Sequence, residues 1–300
     1  MIPNIDNQTK GFEFQLGGKG INVSIALNNL GLASKVLGFG SGFTLDYIKK
    51  ILTKKGIYFK FIKIPGTTSI NFHSRCISQN CEYSLTNPSP KIYPAEINKF
   101  LKLLSNLKKD DIVLISGGLF PKILSYFLEK IAYKVKRVKA LLIVNINCKK
   151  ILDILKFKPF LLKLNEDEIK DMFEISKKID LKRLVFLARK LINKGAQNIL
   201  LSLGHKGALL VNKNYVYYGN APRVKVLNPR GSSEVMLGTF VYGIIKNINF
   251  KESLLESIAA ASDNVRFKKI TDFKNVWKLE NKIKIKVIFS KDIKEKSLSY

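Results

Sequence analysis

Residues 160–168 read FLLKLNEDE. The apolar half, 160–164, is too short for a helix and ends at a polar cluster, which is the pattern of a buried strand. Asn165 and Glu168 then stand three apart, the spacing of a capping box that opens a helix. A strand that runs straight into a helix is one half of a βα unit, and the unit recurs along the chain. Residues 34–38, 111–116, 141–145 and 198–202 also read as short buried strands. Helical periodicity runs through 21–30, 45–55, 94–107, 123–136 and 181–194, the last with Asp180 placed to cap it. Strands alternating with helices predict an α/β fold: a Rossmann-like three-layer sandwich, with a mostly parallel central sheet and helices on both faces.

One region breaks the alternation. Residues 58–87 alternate apolar and polar and carry no helix signal. With 11–16 they read as a small antiparallel sheet inserted into the α/β body, either a lid over a site or an edge decoration. With no internal repeat and no linker, the expected organisation is one α/β domain over 1–288, with the β lid at 11–16 and 58–87. A polar tail, 289–300, follows.

Composition narrows the function classes. A chain of 300 residues with 46% hydrophobic content can bury a sizeable core and is not disordered. Its apolar runs fall far short of the roughly 20 residues needed to cross a bilayer. The opening MIPNIDNQTK has no apolar signal-peptide core, so a cytoplasmic protein without a membrane partner is expected. Cys76, Cys81 and Cys148 form no CxxC pair, and His73 and His205 lie far apart, which argues against a structural zinc or a disulfide scaffold. The formal charge is +29, yet only seven of the 52 basic residues are arginine. The lysines are spread from end to end rather than interleaved with aromatics on one stretch. That is the pattern of solvated faces, and no specific nucleic-acid partner is expected.

Four stretches carry candidate chemistry, each with a plainer structural reading beside it. Gly17-Gly18-Lys19-Gly20-Ile21-Asn22 precedes a helix. It is either a turn into that helix or a place where backbone meets a bound anion at a helix N-terminus. Lys163 to Glu168 offers the capping box already described, or an amide oxygen and a carboxylate suited to a hydrated Mg²⁺. Ser202-Leu203-Gly204-His205-Lys206-Gly207 follows a strand at the end where α/β sheets bind nucleotides, and an ordinary tight turn is the alternative. His205, a lone loop histidine, reads as exposed. Arg230-Gly231-Ser232-Ser233-Glu234 opens an apolar helical run to about 246. Either Ser232 or Ser233 caps that helix with Glu234 on its dipole, or the backbone amides form an anion hole beside a carboxylate base.

In this order and spacing, five segments resemble the signatures of the ribokinase-like (PfkB) carbohydrate kinases. They are GGKGINVSIALNNLG (17–31), VLGFGSGFT (36–44), ISGGLFP (115–121), LKLNEDEI (162–169) and LSLGHKGALL (201–210). The resemblance is to the 1-phosphofructokinase and tagatose-6-phosphate kinase branch and spans about 10–288. It implies ATP as donor, Mg²⁺ as helper, a phosphorylated ketohexose as acceptor, and a homodimer formed through the β lid. By resemblance, Gly17, Gly18, Lys19 and Asn22 hold the sugar phosphate, together with Ser69 of the lid's Gly-x-Thr stretch. Lys163, Ser202, Gly204 and Gly207 fall to ATP. Asn165 and Glu168 organise Mg²⁺ through water or phosphate. Gly231, Ser232 and Ser233 match the anion hole of the family's GAGD motif, and Glu234 matches its catalytic aspartate.

The chain departs from that pattern in ways that predict impaired turnover. GSSE stands for GAGD, and the loop is expected to need φ > 0 at Ser233, which serine adopts poorly. Glu234 is a methylene longer than aspartate, and Ser69 replaces a usual arginine fork. Asn145 stands where an aspartate is common. The family's opening strand, with an Asn-Pro-Ala-x-Asp-like turn that grips the sugar, is not found in the sequence: either the start is misassigned or the strand and its substrate ligand are absent. The function implied is ATP-dependent phosphorylation of a ketohexose phosphate, with fructose 1-phosphate to fructose 1,6-bisphosphate the first choice. The alternative is a kinase fold that keeps nucleotide or sugar-phosphate binding without useful chemistry.

Overall fold

A computed structural model describes residues 5–9, 11–76, 81–88, 90–117, 124–146 and 149–290. In chain order the elements begin with α1 (Lys19–Asn29), β1 (Lys35–Gly40), α2 (Gly42–Lys54), β2 (Tyr58–Lys63), β3 (Phe72–Cys76), β4 (Cys81–Leu85) and α3 (Pro94–Lys102). Then come β5 (Ile112–Ser116), α4 (Leu124–Arg137), β6 (Leu141–Asn145), α5 (Ile151–Ile154), β7 (Leu161–Asn165), α6 (Glu166–Met172) and α7 (Leu181–Asn193). The chain closes with β8 (Asn198–Ser202), β9 (Ala208–Asn212), β10 (Tyr215–Gly219), α8 (Ser232–Ile245), α9 (Phe250–Asn264), α10 (Trp277–Glu280) and β11 (Ile285–Ser290).

The main sheet has seven strands in the order β11-β10-β9-β8-β7-β6-β5. From β5 to β8 every pairing is parallel, and each crossover carries helix, as the alternating sequence predicts. Alternate residues serve opposite faces. On β6, Leu142 and Val144 join the apolar layer of α3, α4 and α7, whereas Ile143 joins the layer of α1, α8 and α9. A one-residue slip would exchange these faces, and each fully buried aliphatic side chain is worth roughly 1.5–3 kcal/mol, so the register is firmly held. The result is the expected three-layer α/β/α sandwich.

Several boundaries differ from the sequence reading. The meander β8-β9-β10-β11 is antiparallel, and β11 extends the sheet through Ser290, where the sequence suggested a tail from 289. Residues 11–16 form no strand. Residues 58–63 are not part of an antiparallel lid: β2 pairs in parallel with β1 in a separate two-stranded sheet. The physical reason is the intervening helix α2, which makes β1-α2-β2 a crossover. Alternation of side chains cannot show which neighbour a strand chooses. Of the expected lid, among the described residues only the β3-β4 hairpin is antiparallel, with His73 opposite Ser84 and Phe72 opposite Leu85. Residues 118–121 of the ISGGLFP stretch, Ile123, Cys148 and everything from 291 lie outside the described residues. Among the described residues, no helix is long and apolar enough to cross a membrane.

Candidate active site

Two helix N-termini converge. Gly18 precedes α1, whose first turn closes through Asn22 N–H to the Gly18 carbonyl at 3.0 Å. Gly231 precedes α8 with φ at 80°, and no side chain caps that helix. A β-carbon at Gly231 would lie 2.8 Å from Ile270 Cδ1 and 4.0 Å from Asn22 Nδ2, so glycine is demanded there by both backbone and space. The α8 ladder begins only with Val235 N–H to the Gly231 carbonyl at 2.9 Å. The amides of Ser232, Ser233 and Glu234 therefore head the helix, at the positive end of its dipole. Positive φ falls on Gly231, not on Ser233, which lies inside α8. The expected strain at Ser233 is thus absent. Ser232 turns its hydroxyl to the Pro229 carbonyl at 2.8 Å and tightens the same turn.

The start of α6 is tied to this region. Asn165 Oδ1 accepts from Glu168 N–H at 2.8 Å, and Glu168 Oε2 accepts from Asn165 N–H at 2.9 Å. The capping box is real, and it leaves Glu168 Oε1 for Lys19 Nζ at 3.4 Å. A residue of the GGKG turn thus meets a residue 149 positions further along. Beneath them Lys163 is 1% exposed. Its Nζ donates to the Leu164 carbonyl at 3.0 Å and to Ser202 Oγ at 2.8 Å, which links β7 to β8. Burial pulls the Lys163 pKa down to about 8; Glu168 and Glu234 oppose that shift, and Lys19 adds to it. Glu168 and Glu234 are themselves buried. The four charges are near enough to feel one another, so the first, second and fourth stretches form one site.

The third stretch joins through Ser202. Beyond it the chain turns through a short helical loop, 204–206, closed by Leu203 N–H to the Gly207 carbonyl at 2.8 Å. Gly207 has φ at 107°, and a β-carbon there would fall 1.9 Å from the Gly219 carbonyl oxygen. Gly204 and His205 are exposed in this loop. Lys206 pairs with Glu166 at 3.8 Å and binds the loop to α6. Gly17 is exposed ahead of α1. Ser69 donates to the Pro88 carbonyl at 3.0 Å, at the base of the hairpin.

The sequence reading missed the scaffold behind the α8 turn. Asn264 Nδ2 donates to the Arg230 carbonyl at 3.1 Å, and Asn264 Oδ1 accepts from Thr271 N–H at 3.1 Å. Fully buried Asp263 accepts from Thr271 Oγ1 and pairs with Arg266 at 3.0 Å. Asp263 and Asn264 carry no local signal, because they end a helix some 30 residues beyond the turn they brace. Also unforeseen is Arg230, whose guanidinium reaches the hairpin at Ser84 Oγ (3.4 Å) and Glu82 Oε2 (3.7 Å).

For a metal, the described residues hold no trio of His, Cys, Asp or Glu. Mg²⁺ does not need one, since it keeps several waters and takes one or two carboxylates plus substrate phosphates. Glu168, buried beside Lys19, fits that water-mediated role, as does the amide of Asn165.

Known proteins resemble this chain along most of its length. The profile of the pfkB family carbohydrate kinases matches residues 2–269. The 1-phosphofructokinase of Bacillus subtilis is 31% identical over 246 residues, covering 82% of this chain and 80% of that protein. The D-tagatose-1-phosphate kinase of Bacillus licheniformis is 28% identical over 288 residues, covering 95% and 93%. Phosphofructokinase-2 of Escherichia coli in complex with fructose-6-phosphate superposes with a TM-score of 0.84 at 21% identity, over 94% of this chain and 92% of that one, and shows the same fold.

Proposed function

Since the chain belongs to the pfkB family of carbohydrate kinases, we propose that it transfers the γ-phosphoryl group of ATP to a ketohexose 1-phosphate, with fructose 1-phosphate as the first candidate. D-Tagatose 1-phosphate, which carries the same C1 phosphate, is the second; both are supported by the names of the relatives. The observation that carries the reading is the placement of Glu234. It stands in the first turn of an uncapped helix, within electrostatic reach of buried Lys163.

The chemistry follows from that placement. The acceptor hydroxyl gives its proton to the Glu234 carboxylate as its oxygen bonds to the γ-phosphorus and the bond to ADP breaks. The amides of Ser232, Ser233 and Glu234 stabilise charge on the transferring group. Lys163 and Lys19 add positive charge from β7 and α1, and the turn at 202–207 receives the nucleotide. Asn165 and Glu168 would hold Mg²⁺ through water or phosphate, and the ion would neutralise charge on the phosphates of ATP. Gly17 to Asn22 face the acceptor's own phosphate with the N-terminus of α1, and that remote contact supplies binding energy for positioning. The normal helical backbone at Ser233 supports a working anion hole. A second copy of the chain would seat on the hairpin, where Phe72 and Leu85 are 47% and 61% exposed. The working compartment is the cytoplasm.

The test is ADP release with MgATP against fructose 1-phosphate, tagatose 1-phosphate, tagatose 6-phosphate and fructose 6-phosphate. Turnover on a 1-phosphate, lowered about 10²- to 10⁴-fold by Glu234→Gln, is the expected result. A folded protein with no turnover above that variant on any of the four would refute it.

A further inference from the structure

We propose that Arg230 is a specificity-determining residue that binds the phosphate group the acceptor already carries, and that Glu82 of the β3-β4 hairpin holds its place until that phosphate arrives. The inference rests on the kinase reading above and adds a residue to it. Three observations carry it.

The backbone of Arg230 is fixed while its side chain is loosely held. Arg230 N–H donates to Asn228 Oδ1 at 3.1 Å, and its carbonyl accepts from Asn264 Nδ2 at 3.1 Å. The guanidinium meets Glu82 at 3.7 Å and Ser84 at 3.4 Å, and both ionic side chains are about half exposed, at 46% and 49%. An ion pair of that length and exposure contributes little to stability. A fixed backbone with a weakly clasped cation describes an arginine ready to change partners.

The position is also right. Arg230 immediately precedes Gly231, whose missing β-carbon would lie 4.0 Å from Asn22 Nδ2. It thus stands between the two converging helix N-termini and the hairpin, on the side of the site given to the acceptor. A phosphate dianion offers the planar guanidinium two oxygens at once and more charge than a carboxylate, so it displaces an exposed Glu82.

The hairpin is arranged around the same cation. His73 Nδ1 shares a 2.9 Å hydrogen bond with Ser84 Oγ, the hydroxyl that Arg230 also reaches. Burial and the nearby Arg230 charge lower the His73 pKa, and Glu82 opposes them. An uncharged His73 leaves Arg230 as the cation at that junction, with Glu82 its counter-charge. Exchange of Glu82 for a substrate phosphate would couple arrival of the acceptor to release of the hairpin.

The experiment measures equilibrium binding by calorimetry, without ATP, for wild type, Arg230→Gln, Arg230→Lys and Glu82→Gln. The ligands are fructose 1-phosphate, tagatose 1-phosphate and unphosphorylated fructose, and thermal unfolding confirms that each variant is folded. Arg230→Gln should weaken sugar-phosphate binding about 10- to 100-fold and leave fructose binding unchanged. Arg230→Lys should recover part of that loss. Glu82→Gln should bind the sugar phosphates as tightly as wild type or more tightly, because the competing carboxylate is gone. If Arg230 only braces the hairpin, Arg230→Gln and Glu82→Gln will weaken binding equally, and the proposal falls. Sugar-phosphate binding undiminished in Arg230→Gln overturns the role of Arg230 alone. Failure of wild type to bind any sugar phosphate overturns the kinase reading with it.

Discussion

Replacing Gly231 with alanine tests the anion hole at its most constrained point. Two costs can be worked from the geometry. At φ of 80° an L-residue pays about 1–2 kcal/mol for the left-handed backbone. The new β-carbon would also stand 2.8 Å from Ile270 Cδ1, the far end of a flexible side chain. Moving that methyl off its preferred rotamer costs about 0.5–1.5 kcal/mol. The sum, about 1.5–3.5 kcal/mol, is a sizeable part of a total stability of about 5–15 kcal/mol. Function should suffer more than stability. If the turn relaxes by moving the amides of Ser232, Ser233 and Glu234 by about 1 Å, turnover falls about 10²-fold. Urea unfolding measures the first effect and coupled ADP release the second. Adding Ile270→Ala separates the causes. It relieves the contact but not the backbone strain, so Gly231→Ala/Ile270→Ala should keep most of the catalytic loss relative to Ile270→Ala alone. A Gly231→Ala protein within about 0.5 kcal/mol of wild-type stability, the usual range for a neutral surface substitution, and with wild-type turnover would refute the argument.

Other consequences are equally direct. Lys163 loses its proton near pH 8 when folded but near its ordinary 10.5 when unfolded, so between those values the unfolded chain binds more protons and this group makes the fold more stable as pH rises, by up to about 3 kcal/mol. Stability curves of wild type minus Lys163→Met should show that rise, and turnover should decline above about pH 8 as the ammonium is lost; a flat difference curve contradicts the burial argument. Ser233→Gly should lower stability by about 0.5 kcal/mol, because serine sits in a helix, and should not raise turnover. A large gain in rate would restore the idea that GSSE is a strained cradle. Gly207→Ala should destabilise by more than about 4 kcal/mol, since its β-carbon falls 1.9 Å from backbone oxygen that cannot move aside. Phe72→Asp should convert a dimer to a monomer in sedimentation velocity; a wild-type monomer refutes the hairpin interface.

Much of the architecture was legible in one dimension. The runs at 141–145 and 198–202 are the strands β6 and β8 to the residue, because apolar runs bounded by polar turns leave few other solutions. The Asn165–Glu168 capping box and the Asp180 cap are local chemistry and formed as written. Gly18 and Gly207 fall in turns that the sequence had flagged, since glycine tolerates positive φ at no steric cost. Local patterns contained Lys19, Lys163, Asn165, Glu168, Ser202 and Glu234, which the fold brings together, but not Asp263 or Asn264, which carry no local signal.

The tertiary structure decided what touches what. Whether 58–63 paired with a hairpin or with β1 depended on a crossover, which side-chain alternation does not encode. Which residue of GSSE took the positive φ depended on where α8 began, and that moved the burden from Ser233 to Gly231. Lys163 is singled out in the sequence by its motif, but the sequence does not show that it would be buried within reach of Glu168 and Glu234. Its altered proton affinity is a result of desolvation that only packing creates. Arg230 and Glu82 lie almost 150 residues apart, and no periodicity links them. Their meeting follows from the hairpin folding over the α8 turn. Secondary structure and caps depend on neighbours a few residues away, so the sequence displays them. Charge pairing and burial depend on distance through space, which exists only once the layers have closed.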